Sequence, residues 1–242
     1  YFNFNPNLFK ELNMGFKKID RYRSKFLIES VSDLQLELDK LNISLIIDRC
    51  PSGQNLVESI KKLNVKEIFI QREWTRDEIN EENEVLNKIG NSVKVNYSFD
   101  QFLYHPNDLK KKVDNIPNVF TLFRKKCEKE LKVRALTKNP YKLDSKNRLT
   151  EKYKIPSLND LGFNDFTVDK RSAFPFKGGT KSGLERIKNY FWETKKLSFY
   201  KHTRNGLIGI DYSSKLSSWL ANGCISPKMI YWETKRYEKQ VI

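Results

Sequence analysis

Between Tyr200 and Pro227 the chain concentrates side chains suited to holding an anion. The run Tyr200-Lys-His-Thr-Arg-Asn-Gly-Leu-Ile-Gly-Ile-Asp-Tyr-Ser-Ser-Lys-Leu-Ser-Ser-Trp-Leu places Asp211, Ser213, Ser214 and Ser217 where a helix is expected to begin, with Lys215 among them. Hydroxyls beside the free N–H groups of a helix start, with an ammonium alongside, suit a pyrophosphate. The plain alternative is that Asp211 or Ser213 only caps the helix, the commonest use of such residues. Local spacing leaves both open.

Other chemistries find no support. Neither Gly-x-Gly-x-x-Gly nor Gly-x-x-x-x-Gly-Lys-Ser/Thr occurs, against a Rossmann dinucleotide fingerprint or a P-loop. The two histidines, His105 and His202, have no His or Cys at ligand spacing, so no metal site is expected. His105 precedes Pro106 and reads as a turn residue, and no nucleophile elbow exists for a Ser/His/Asp hydrolase. Cys50, Cys127 and Cys224 are odd in number and far apart, which supports neither a disulfide scaffold nor a zinc module and points to a reducing compartment. No catalytic side chain is assigned.

The elements that must position the serine-rich segment fall into three stretches. Over 1–98, helix and strand alternate. Leu27, Val31, Leu34, Leu38 and Leu41 recur at helical spacing within Arg21 to Leu41, and Leu56, Val57, Ile60 and Leu63 do so within Gln54 to Leu63. Thr75 with Glu78 three residues on forms a capping box for a helix over Asp77 to Lys88. The short apolar runs 45–47, 68–70 and 93–95 read as buried strands, and Tyr1 to Phe4 as the end of another. This repetition predicts a parallel sheet covered by helices on both faces. Over 99–175, prolines break the pattern and only Val119 to Val133 sustains a helix, as expected of a long connector between two units. From 176 to 242 the chain turns helical after Gly178-Gly179, with Leu184, Ile187, Tyr190 and Phe191 on one face. A polar loop spans His202 to Ser213, and a last helical region begins near Ser214, interrupted at Gly223 to Pro227.

Composition narrows the partners. The 242 residues carry 45 Lys plus Arg against 30 Asp plus Glu, a formal charge of +15, which points to a polyanion or phosphate-rich ligand. Aromatics at 13% argue against disorder, and no apolar run reaches the roughly 20 residues that a membrane span needs, so no membrane partner is expected. The opening at Tyr1 rather than Met reads as part of something longer.

Phe176-Lys-Gly-Gly, Gly183-Leu-Glu-Arg-Ile-Lys-Asn-Tyr-Phe-Trp-Glu-Thr194, Tyr-x-x-Thr-Arg-Asn-Gly from Tyr200 and Asp211-Tyr-Ser-Ser-Lys-Leu-Ser-Ser-Trp-Leu together resemble the photolyase/cryptochrome superfamily, with the best match to its DASH branch. Phe26 to Leu34, His105 to Leu109, Asn115 to Lys126 and Ser157 to Gly162 agree in order, so the resemblance covers essentially the whole chain. The segment around Phe120 to Lys126 is what marks the DASH branch.

The resemblance implies a Rossmann-like parallel-sheet α/β domain that carries an antenna chromophore, a long connector, and the start of an all-helical FAD-binding domain. Tyr200 would lie beside the FAD phosphates, and Ser213, Ser214, Lys215, Leu216 and Ser217 would hold the phosphates and ribityl chain. Arg204 matches a family position near that site, though an Arg after a loop threonine can equally make structural ion pairs. Glu73, at the C-terminal end of an expected parallel strand where α/β ligand crevices form, would meet an antenna folate such as 5,10-methenyltetrahydrofolate, with a solvated loop carboxylate as the alternative. The activity implied is blue-light-driven repair of cyclobutane pyrimidine dimers, in the DASH branch in single-stranded DNA, by a monomeric deoxyribodipyrimidine photo-lyase. The alternative is a blue-light photoreceptor with the same flavin and little repair. A product that binds no FAD and retains only nucleic-acid affinity is the third reading. The compartment implied is the nucleus, chloroplast or mitochondrion of a eukaryote, or the cytoplasm of a bacterium. The family's first strand would precede Tyr1, and its remaining FAD contacts, lesion pocket and tryptophan electron-transfer chain would follow Ile242. Trp192, Trp219 and Trp232 are therefore expected as core or surface aromatics. Ser214 and Ser218 stand where relatives often have threonine and proline.

Overall fold

The structure, a computed structural model, describes residues 1–112 and 116–241. Chain order is β1 (Phe2–Asn3), α1 (Arg21–Lys40), β2 (Ile47–Asp48), α2 (Gln54–Lys62), β3 (Glu67–Gln71), α3 (Arg76–Ile89) and β4 (Lys94–Ser98). There follow α4 (Pro106–Lys112), α5 (Phe120–Glu130), α6 (Thr180–Ile187), α7 (Tyr200–Thr203), α8 (Ser217–Ala221) and α9 (Pro227–Val241). Among the described residues no helix is long and apolar enough to cross a membrane.

The strands are parallel, as their alternation with helices requires, but they stand as two pairs: β1 with β2, and β3 with β4 in the register Ile68 to Val95. Val57 and Ile60 of α2 and Val85 and Ile89 of α3 bury one face of the second pair, against Ile68 and Val95. The other face is open, leaving Phe69 78% exposed, so the expected cover of helices on both faces is present on one. The capping box also forms differently. The Thr75 hydroxyl donates to the Glu78 carboxylate, and no side-chain bond from Thr75 reaches the α3 backbone.

Helix α1 joins the two halves. Its Val31 is buried with Phe4, Phe9 and Leu45 in a cluster that also takes Leu158, Leu161 and Phe163 from the connector. Its Phe26 is buried instead with Tyr190, Phe191, Trp219 and Tyr237 of the helical segment. The connector is thus packed into the first core as well as linking. Side chains of α1 also cap α6: the Gly178 N–H donates to Glu29 (2.8 Å), the Gly179 N–H to the Ser30 hydroxyl (3.0 Å) and the Lys181 N–H to Asp33 (3.1 Å). Helix starts leave four backbone donors without intrahelical partners, and here another helix supplies the acceptors. The approach is close enough to need glycine, since a Cβ on Gly178 would lie 2.1 Å from the Phe26 carbonyl oxygen.

Candidate functional site

The serine-rich loop is organised by a residue outside it. Arg186, near the end of α6, is only 3% exposed. Its Nε donates to the Ser214 carbonyl (3.0 Å), and one terminal nitrogen donates to the carbonyls of Ile210 (2.9 Å) and Ser213 (3.1 Å). The other terminal nitrogen pairs with Asp211 at 2.9 Å. The guanidinium lies 4.9 Å from the ring centroids of both Phe176 and Tyr190. A planar fork with five donors can bridge several acceptors at once, which a lysine cannot. Asp211 therefore serves as the counter-ion of Arg186, and it caps no helix.

Helix α8 begins at Ser217, three residues later than the expected start near Ser214, and runs only to Ala221. Lys215 has a left-handed backbone (φ 62°) and turns the chain between the two serine pairs. Its ammonium sits 3.4 Å from the Tyr212 ring centroid. Ser213 and Ser214 thus lie in a loop, Leu216 is buried, and only Ser217 is helical. Loop ends are tied by Thr203, whose hydroxyl donates to the Tyr212 carbonyl at 2.9 Å.

With the carbonyls of Ile210, Ser213 and Ser214 engaged by Arg186, acceptors that would repel an anion are already satisfied. Among the described residues the hydroxyls of Ser213, Ser214 and Ser217 and the phenol of Tyr200 make no hydrogen bond to protein. The Tyr190 hydroxyl is buried near Thr203 and makes no hydrogen bond of normal geometry among the described residues. Burial pushes its pKa up, so it stays a neutral donor. Unengaged hydroxyl donors of this kind fit the phosphates and hydroxyls of a dinucleotide cofactor. Arg204 follows α7 with its side chain exposed and, among the described residues, in no ion pair. The helical spacing of Leu184, Ile187, Tyr190 and Phe191 hid Arg186: a lone arginine on a helix reads as solvated until the loop that returns to it is known.

The C-terminal ends of β3 and β4 form a second constellation. Glu73 accepts from the side-chain amides of Gln71 (2.9 Å) and Gln101 (3.3 Å). The side-chain Oε1 of Gln101 is buried with no hydrogen-bond partner among the described residues. Trp74 packs against Phe99 (6.1 Å) and Phe102 (6.2 Å), and Phe99 against His105 (5.2 Å). His105 is part of this aromatic group as well as of the turn, where its Nδ1 accepts the Asn107 N–H. Lys228 of α9 pairs with Asp100 at 2.6 Å and closes the helical segment onto this end of the strands.

The tryptophans are structural in their contacts. Trp219 is fully buried and donates to the Lys177 carbonyl, Trp192 donates to Glu233 beneath Arg236, and Trp232 donates to the Arg134 carbonyl of the connector.

The family profile described as DNA photolyase matches residues 1–142. The chain is 38% identical to "Cryptochrome DASH" of Xenopus laevis over 93% of its length and 44% of the relative's. It is 35% identical to "Cryptochrome DASH" of Synechocystis sp. over 98% of its length and 48% of the relative's. The crystal structure of the Synechocystis sp. PCC6803 cryptochrome superposes with a TM-score of 0.90 at 36% identity, covering 99% of this chain and 50% of that one. A bacterial class III photolyase from Agrobacterium tumefaciens shares the fold, with a TM-score of 0.74 at 19% identity over 91% of this chain and 45% of that one. The chain spans about half the length of the curated relatives it matches. With its parallel strands, connector and helical segment all superposing on a cryptochrome, the chain belongs to the DNA photolyase family.

Proposed function

We propose that this chain holds FAD through Tyr200, Ser213, Ser214, Lys215, Leu216 and Ser217, and serves blue-light-driven repair of cyclobutane pyrimidine dimers in single-stranded DNA. In this reading residues 1–98 form the antenna domain, 99–175 the connector, and 176–242 the beginning of the FAD-binding domain. The observation that carries it is the loop held by Arg186, whose carbonyls are engaged while its serine hydroxyls stay unpaired. Those hydroxyls would donate to the phosphates, Lys215 would supply the opposite charge, and Leu216 would hold the turn by its burial. FAD, when bound, supplies the light-driven electron that splits the dimer. Arg204, exposed beside the loop, would add a second cation toward the same phosphates. DNA phosphates would meet the excess of Lys and Arg, making affinity fall with salt.

Glu73 is proposed as the antenna contact. A carboxylate, an orphaned amide oxygen and a cluster of Trp74, Phe99 and Phe102 at the strand ends suit a planar folate with amino and ring N–H donors. Similarity to proteins named cryptochromes favours a second reading, a photoreceptor with the same flavin.

The test is reconstitution with FAD, followed by blue-light illumination with a dimer-containing oligonucleotide, single-stranded or duplex. Retained flavin with restoration of thymine absorbance in the single strand supports repair. Retained flavin without restoration favours the photoreceptor, and a colourless protein at saturating FAD overturns the flavin assignment.

A further inference from the structure

The loop after α7 ends in an apolar tip. Leu207 is 86% exposed and Ile208 95%, and Phe199, just before α7, is 58% exposed. Single exposed aliphatic residues are ordinary on a protein surface, but two in succession at the end of a loop form a patch. The loop is narrow and closed at its base. The Thr203 hydroxyl donates to the Tyr212 carbonyl at 2.9 Å and the Gly206 N–H to the Thr203 carbonyl at 2.8 Å. A Cβ on Gly206 would lie 2.9 Å from that of Tyr212, so the two sides of the loop touch there. Beyond the tip Gly209 takes φ 87° in open space, where a Cβ would meet nothing within 4 Å. Leu207 and Ile208 therefore stand on a convex projection, not on the wall of a groove.

Cations surround its base. Between Thr194 and Leu216 the chain carries Lys195, Lys196, Lys201, Arg204 and Lys215 against one carboxylate, Asp211, which Arg186 holds at 2.9 Å. Lys195 and Lys201 are exposed and Lys196 is half-buried, and none of these three is in an ion pair among the described residues. The carboxylates nearby are already engaged: Glu193 by Lys188 at 2.9 Å, and Glu233 and Glu238 of α9 by Arg236 and Lys235 at 2.7 Å each. The Ser198 hydroxyl lies 2.7 Å from that of the buried Tyr237, which fixes this basic segment to the helical core.

An aliphatic tip with ammonium groups at its base matches a lipid interface. The tip enters the boundary of the acyl chains while long lysine stems keep their charges at the headgroups. Lysine is depleted from protein–protein contacts and attracted to anionic lipid, so its excess here favours a lipid surface over a protein groove. We propose that Leu207 and Ile208 insert into an anionic membrane surface, with Lys195, Lys196 and Lys201 meeting its headgroups. Such contact is peripheral and needs no helix long and apolar enough to span, of which the described residues contain none. None of these five residues belongs to the flavin assignment, so the proposal does not rest on it.

The test is co-sedimentation of the full chain at low salt with vesicles of phosphatidylcholine and phosphatidylserine, and with vesicles of phosphatidylcholine alone. Leu207→Ser with Ile208→Ser removes the apolar tip, and Lys195→Gln with Lys196→Gln and Lys201→Gln removes the cations. Lys138→Gln with Lys142→Gln and Lys152→Gln, three exposed connector lysines, is the charge control. Expected is binding to the anionic vesicles that falls about 10-fold or more in each of the first two variants and stays within about 2-fold in the control. Circular dichroism melting confirms that each variant is folded. If the serine variant is not, Leu207→Trp gives the same reading, its added emission being quenched by brominated acyl chains in the anionic vesicles. No binding to the anionic vesicles, equal binding to phosphatidylcholine alone, undiminished binding of the serine variant, an unquenched Leu207→Trp, or an equal loss in the connector control overturns the proposal. So does a wild-type dimer that the serine variant abolishes without any binding to vesicles, which would assign the tip to contact between copies of the chain.

Discussion

Replacing Arg186 by methionine keeps an unbranched apolar stem and removes the bonds by which Arg186 holds the serine loop, leaving the Thr203 tie to Tyr212 in place. The wild-type group makes bonds to three backbone carbonyls, those of Ile210, Ser213 and Ser214, and an ion pair with Asp211. Breaking a fully buried pair by removing one partner costs about 3–5 kcal/mol, and each buried acceptor left unpaired about 1–3 kcal/mol. Asp211 is 36% exposed, and the loop can open to let water reach its carbonyls, so these figures do not add. A net loss of about 3 kcal/mol in the loop's closed state follows, roughly a 150-fold rise in its opening equilibrium. Native-state hydrogen exchange of amides 206–216 reads this directly. Arg186→Lys restores charge opposite Asp211 but not the fork, so its loop should exchange at a rate between the two. Uniform acceleration across all amides, with the loop no more affected than α2 or α3, would refute the assignment of Arg186 as the loop's organiser. So would Arg186→Lys exchanging as slowly as wild type.

Gly178→Ala forces a Cβ to within 2.1 Å of the Phe26 carbonyl oxygen and 2.5 Å of the Ser30 hydroxyl, so α1 and α6 must separate. A loss of about 1–3 kcal/mol is expected in urea denaturation, or roughly 2–4 °C of melting temperature per kcal/mol. Ser30→Ala leaves the buried Gly179 N–H without its acceptor and should cost about 1–3 kcal/mol, whereas Ser30→Thr, with its hydroxyl kept, should cost less. Asp160 is held below the ordinary carboxylate range by the Ser157 hydroxyl first and the Ser157 N–H second. Its folded value lies under its unfolded one, so its contribution is complete above about pH 4 and disappears as pH falls through the folded value. Carbon-detected NMR titration should show the 157–161 turn loosening in that window, and Asp160→Asn should abolish the pH dependence.

The order of elements was legible because it depends on local pattern. Spacing of Leu27, Val31, Leu34 and Leu38 marks α1 to within a residue of its observed limits, and the apolar runs at 68–70 and 93–95 mark β3 and β4, each of which extends further than its apolar residues. Boundaries failed where a contact from elsewhere decides them. Helix α8 starts at Ser217 because Arg186 holds the backbone of 213 and 214 in a loop, and Lys215 turns the chain with a positive φ. The long helix expected after Gly179 loosens into a π-helical turn at Lys188–Glu193, where Tyr190 and Phe191 bury themselves in the helical core.

Residue types by themselves determined that Tyr200 to Ser217 carries the donors for an anion, because hydroxyls and a lysine at that density have that capacity whatever surrounds them. Only the tertiary structure decided which donors remain unengaged. Arg186 lies about two dozen residues from the loop it holds, and α1 lies about 150 residues from the glycines it caps. Hydrogen bonds across such separations have no trace in local periodicity: they exist only once the buried aromatic cluster brings α1, α6 and the loop together.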